Sequence, residues 1–145
     1  MATPAALLAE ALTWRGTPFR HAADVKGVGV DCGMFLLRSF QALGLLPDYD
    51  PRPYPPGWFL HRTEDRFTPI LRAHGVEVTG ETPRPGDVAC FTFGRAPYAH
   101  TGFVVRWPLI VHAAPEAGVT LARGDSGPLA ARFRAAWRHR EFARG

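Results

Sequence analysis

Val30-Asp31-Cys32-Gly33-Met34-Phe35-Leu36-Leu37 sets a cysteine between two unlike kinds of sequence. Before it lies the glycine-rich loop Lys26-Gly27-Val28-Gly29, and after it an apolar run with helical spacing. Leu36, Leu37, Phe40 and Leu43 recur at the interval that lines one buried helix face. Gly44 stops that helix, and Pro47 lies beyond it. The pattern predicts Cys32 in the first helical turn. Unpaired N–H groups and the positive end of the helix dipole gather there. Both favour a thiolate, so the spacing predicts a lowered thiol pKa.

Working outward, the N-terminal half reads as helices. Thr3-Pro4 is a cap followed by proline in the first turn, with Leu7, Leu8, Ala11 and Leu12 as the apolar stripe. Residues 47–57 are rich in Pro, Asp and Tyr and form a loop long enough to border a site. Residues 58–67 are expected to be a third helix. Thr68-Pro69 opens a short fourth one, with Gly75 as its stop.

After residue 75 the period becomes two. Strands are expected at Val76–Val78, Val88–Phe93, His100–Trp107, Leu109–Ala113 and Gly118–Ala122. Pro128–Phe133 suits a helical turn, and Ala135–Phe142 is read as a last strand with helix as the alternative. Helices first and strands afterwards predict an α+β fold, with N-terminal helices packed on a central antiparallel sheet. The 145 residues suit one domain, 1–145, and 46% hydrophobic against 21% charged residues excludes disorder.

A thiol nucleophile needs a base, and six histidines are on offer. His100 opens one expected strand and His112 lies in the next, joined through Arg106-Trp107-Pro108. A hairpin there sets the two rings side by side on one face. The bland alternative is a buried thiol with hydrogen-bonded sheet histidines. Cys90 reads as a buried small hydrophobe, though spacing leaves a Cys32–Cys90 disulfide open. His21 reads as a solvated loop residue, with lining of the active site as the alternative. His74 suits a helix C-terminus, and His139, between Arg138 and Arg140, a solvated face. Arg132, Arg134, Arg138, Arg140 and Arg144 read as a solvated strand edge, with contact to phosphate or an acidic partner as the alternative. His61 and Glu64 alone do not make a metal site, so neither metal nor cofactor is expected.

Five segments, in order, resemble the NlpC/P60 cell-wall peptidases, a papain-like branch of the cysteine peptidases. They are Trp14-Arg15-Gly16-Thr17-Pro18-Phe19, Asp31-Cys32-Gly33, Pro85-Gly86-Asp87-Val88, His100-Thr101-Gly102-Phe103-Val104 and Val111-His112-Ala113. The resemblance implies a papain-like NlpC/P60 fold with Cys32 as nucleophile, His100 as base and His112 orienting His100. It implies that Asp31 helps bind substrate beside the nucleophile, and that the Cys32 N–H is an oxyanion donor, an interaction worth roughly 3 kcal/mol of barrier. Gly33 stands where the family has Ser, and Phe19 where it has Tyr, so two substrate-facing hydroxyls are missing. The expected activity is hydrolysis of peptide bonds in peptidoglycan stems. The alternatives are a thiol amidase or acyltransferase, or a tail-tip binding protein with a degenerate peptidase fold.

The N-terminal half looks closest to short NlpC/P60 proteins of phage tails and gene transfer agents. That implies tail-tip or baseplate proteins as partners. The first ten residues lack a basic segment before their short apolar run, so no signal peptide is read, and no stretch approaches a membrane span. The expectation is cytoplasmic synthesis followed by carriage to the envelope on a particle. The net charge of +4 suits nucleic acid or an anionic envelope polymer equally, and the arginines form no long basic run. With the resemblance, peptidoglycan rather than nucleic acid is the expected partner.

Overall fold

The computed structural model describes residues 2–54, 68–93 and 96–143. Helix α1 is Pro4–Leu12, β1 is Asp24–Val25, β2 is Gly29–Val30 and α2 is Cys32–Ala42. Helix α3, Thr68–His74, runs directly into β3, Gly75–Val78. Strands β4 (Val88–Phe93), β5 (Ala96–Arg106), β6 (Leu109–Ala114) and β7 (Gly118–Arg123) follow. A 3-10 turn, Gly127–Leu129, leads to β8 (Phe133–His139) and the short helix α4, Arg140–Ala143. The α+β expectation holds. The helix expected over 58–67 lies outside the described residues. The glycine-rich loop expected at 26–29 supplies the turn of the small β1–β2 hairpin, whose two-residue strands leave no periodicity to detect.

The six-stranded sheet has the order β3-β8-β4-β5-β6-β7, with antiparallel neighbours throughout. Strand alternation divides its side chains between two cores. Val88, Cys90, Phe103, Val111, Ala113 and Val119 face the helices and meet Leu7, Phe35, Leu36, Leu37 and Phe40. Ala89, Phe91, Val104 and Ile110 face the other way, over Leu129. Phe103 is the keystone of the first core, with edge-on contacts to Phe35 at 5.5 Å and Phe40 at 5.4 Å. Burial of each large side chain of this kind stabilises the fold by about 1.5–3 kcal/mol relative to exposure.

Strand β8 inserts between β3 and β4, so it is not an edge strand, and the solvated reading fails for Arg138 while Arg132, Arg134 and Arg140 are exposed as expected. Arg138 is buried, its Nε and Nη2 donating to Asp87 at 2.9 Å each, while Nη2 also reaches Glu81 at 3.1 Å. Asp87 ends the Pro85-Gly86-Asp87 turn, so this bidentate pair ties that turn to the sheet. Arg132 lies over the Phe93 ring at 4.4 Å. His139 is half-buried rather than solvated. Its Nε2 donates to Leu45 O at 2.7 Å and its Nδ1 accepts from Glu141 N at 3.1 Å. His74, at the end of α3 as expected, stacks on it at 6.4 Å. A polar pattern cannot separate a buried ion pair from a wet face, and that is why these positions misled.

Candidate active site

The site begins with the start of α2. Asp31 is extended (φ −102°, ψ 176°) and its Oδ1 accepts from Met34 N at 2.8 Å, so it is the N-cap. Cys32 is thereby fixed as the first helical residue, and Gly33 is buried behind it. The other Asp31 oxygen accepts from Ala22 N at 2.8 Å and from the Tyr54 hydroxyl. The carboxylate expected to bind substrate is thus largely occupied by its own chain. Tyr54, buried in the Pro-rich loop, was not singled out from sequence. An aromatic with a hydroxyl in a loop predicted to border a site was the available signal.

A second set of contacts laces the segment 16–20 to the sheet. Gly16 N donates to Val119 O at 3.0 Å, and Val119 N to Thr17 O at 2.9 Å. Val30 N then donates to Pro18 O and Arg20 N to Val30 O. Gly118 has φ +72°, and a Cβ there would lie 2.3 Å from Thr17 O, so only glycine lets this strand approach. The lacing carries Phe19 to the cavity wall beside Cys32.

The third part is the β5–β6 hairpin. Phe103 pairs with Val111, which sets Gly102 across from His112. His100, two residues earlier, shares a face with Gly102 and lies diagonal to His112. His100 Nε2 is 2.7 Å from His112 Nδ1, and both residues are buried. Phe91 and Phe93 flank the His100 ring, each at 6.0 Å. The Cys32 thiol reaches the backbone just before His100, its Sγ lying 3.9 Å from Ala99 O. With Nε2 taken by His112, Nδ1 is the His100 nitrogen left for the thiol. Cys32, His100 and His112 line one cavity of about 500 Å³. It continues past Glu116 and Thr120 to Arg123 and the 3-10 turn. Both cysteines are free, so the open question of a disulfide is closed.

The electrostatics correct one expectation. Burial pushes the Cys32 thiol up to about 12, and the Asp31 carboxylate adds to it. Hydrogen bonds from the backbone at Thr101, Gly33 and Cys32 oppose this without reversing it. The helix start does favour a thiolate, but desolvation wins. Burial also pulls His100 down to about 3, with His112 contributing, and burial lowers His112 despite the opposing charge of Glu116. The resting group is therefore a neutral thiol beside two neutral imidazoles. Such a pair acts by proton transfer as the thiol attacks, rather than from a stored thiolate.

His21 lies elsewhere. Its Nε2 is 2.8 Å from Tyr54 O and its ring meets the Tyr54 ring edge-on at 5.1 Å, so it braces Tyr54. His61 lies outside the described residues.

Solved structures give the same arrangement of elements a name. An NlpC/P60 family protein from Bacillus cereus superposes with a TM-score of 0.71 over 95% of this chain, at 19% identity. This is the NlpC/P60 fold. The NlpC/P60 domain of the peptidoglycan hydrolase SagA gives a TM-score of 0.66 at 19% identity, covering 94% of this chain and 99% of that one. A lipoprotein-like member from Staphylococcus aureus gives 0.66 at 17% identity over 94% of this chain. The chain spans only 40% of the Bacillus protein and 41% of the Staphylococcus one. No family model matches the sequence, and no curated protein does. Between sequences this distant the fold is what is held in common, and function is argued from the site.

Proposed function

We propose that the chain is a cysteine peptidase that hydrolyses peptide bonds in the stems of bacterial peptidoglycan. The observation that carries this is Cys32 at a helix start, sharing a cavity with a histidine whose far nitrogen is held by a second histidine. The NlpC/P60 fold supports the substrate class, since SagA, which shares it, is named a peptidoglycan hydrolase.

As Cys32 Sγ attacks the scissile carbonyl carbon, its proton passes to His100 Nδ1. The imidazolium is held through Nε2–H by His112 Nδ1. The Cys32 N–H, at the start of α2, donates to the oxyanion. His100 returns the proton to the leaving amine, and a thioester remains on Cys32. Water, deprotonated by His100, attacks the thioester. The acid is released and the thiol re-forms. Phe19 lines the cavity beside Cys32 with a ring that carries no hydroxyl, while Gly33, expected to face substrate, is buried behind the cysteine.

Digestion of purified sacculi followed by mass spectrometry tests the reading. Release of stem peptides by the protein, and its loss in Cys32→Ala, is the expected result. Equal release by the variant overturns it. The fragment masses also separate peptidase from amidase or acyltransferase chemistry. For delivery, we propose carriage on a phage-like tail, supported by the form of the N-terminal half. Immunodetection of the protein in purified particles checks it.

A further inference from the structure

The cavity extends well beyond the cysteine and histidines, and its charges are unequal. Its wall carries two charged side chains, Glu116 and Arg123, among alanines and prolines. Arg123 is already neutralised: its Nε and Nη2 each meet Asp125 at 3.0 Å. Asp31, the acidic residue next to the nucleophile, accepts from Met34, Ala22 and Tyr54. The Glu116 carboxylate makes no hydrogen bond or ion pair among the described residues. It sits on the β6–β7 turn, and His112 pairs with Thr120 in that same hairpin. Glu116 thus stands beyond one side of the reacting centre. The paired Arg123 stands roughly 10 Å along β7 on the other, at ~3.3 Å per residue.

We propose that Glu116 selects the substrate, receiving an ammonium group of the peptide seated across Cys32 and His100. This inference rests on the proposed peptidase reading and names the chemistry that the same cavity recognises. An apolar wall with one uncompensated carboxylate favours a peptide with small side chains and a cation at one end. The same wall disfavours an anion there, which would face Glu116 without a counter-charge. A terminal α-amine and a side-chain amine both present this chemistry. Either also fixes the direction in which the peptide crosses the thiol.

Binding to the Cys32→Ala protein tests this without turnover. Calorimetry would use one stem peptide with both amines free and two versions acetylated at one amine each. The free peptide should bind roughly tenfold more tightly than one of the acetylated forms, as a single charge-assisted contact at a partly exposed site allows. Which form weakens identifies the amine. Adding Glu116→Gln should abolish the difference, and Glu116→Asp should restore part of it. Equal binding of all three peptides, or a preference that survives Glu116→Gln, overturns the proposal. Digestion of sacculi by the wild-type chain bears separately on the peptidase reading.

Discussion

His100 Nε2 and His112 Nδ1, 2.7 Å apart, share one proton, and which ring owns it decides whether His100 can be a base. If His100 holds it, Nδ1 carries a lone pair toward Cys32. If His112 holds it, Nδ1 of His100 is protonated and cannot accept from the thiol. The position of His112 therefore demands an acceptor. His112→Ala should lower kcat by about a hundredfold, within the usual range for acid–base groups. His112→Gln, whose amide oxygen can accept, should keep more activity than the alanine variant. His112→Lys, a donor only, should be at least as damaging as alanine. Steady-state kinetics on a stem peptide checks the order, and a lysine variant as active as glutamine would refute the acceptor role.

The same two rings make stability depend on pH. Burial lowers the pKa of both in the folded chain, His100 down to about 3. In the unfolded chain each takes up a proton near 6.5. Below 6.5 the unfolded state binds more protons than the folded state. The stability present above that pH is therefore lost as pH falls, for His100 down toward 3 at up to about 1.4 kcal/mol per pH unit, with His112 acting in the same direction. Denaturant midpoints measured between pH 7 and pH 4 should fall steadily, and more gently in His100→Gln. A flat profile for the wild-type chain would contradict neutral, buried rings.

Gly102 is where the hairpin leaves room for this pair. A Cβ there would lie 3.0 Å from His112 Cβ and 3.0 Å from Val111 O. Gly102→Ala must push β6 away from β5 or turn the His112 ring. Overpacking of this kind costs about 1–3 kcal/mol. Misplacement of a catalytic group by about 1 Å can cost a hundredfold in rate. The variant should remain folded by circular dichroism yet lose far more kcat than thermal stability. Activity within twofold of wild type would show that the strand spacing is not what aligns the rings.

The local grammar of the chain was legible because it is periodic or punctuated. Thr3-Pro4 announced α1, and its cap is in place, Thr3 Oγ1 accepting from Ala6 N. Cys32 opens α2 where the apolar spacing puts it, but Asp31, expected to bind substrate, is the cap of that helix, accepting from Met34 N. The pairing of His100 with His112 followed from strand alternation and a short connection. What escaped was everything that depends on partners distant in sequence. The thiol pKa turned on burial, which no helix-start argument contains. Arg138 looked like surface because its counter-ion, Asp87, lies across the sheet. Tyr54 looked like loop because nothing near it in sequence names Asp31 as its acceptor.

Tyr54 joins the loop to the cap of the Cys32 helix. Its hydroxyl donates to an Asp31 oxygen that also accepts from Ala22 N, while the other oxygen caps α2. The loop is held independently. Arg52 bonds Asp24, Asp50 and Ala22 O, and Arg38 bonds Asp24. Tyr54→Phe removes only the hydroxyl and should cost about 1.5–3 kcal/mol, the worth of a hydrogen bond to a charged group. With one donor fewer, Asp31 has an acceptor site free for substrate or water. The variant should therefore melt at a lower temperature while its KM changes more than its kcat. A drop in kcat with unchanged KM would mean that Tyr54 aligns the thiol instead. Unchanged melting would mean that water replaces the hydroxyl at no cost.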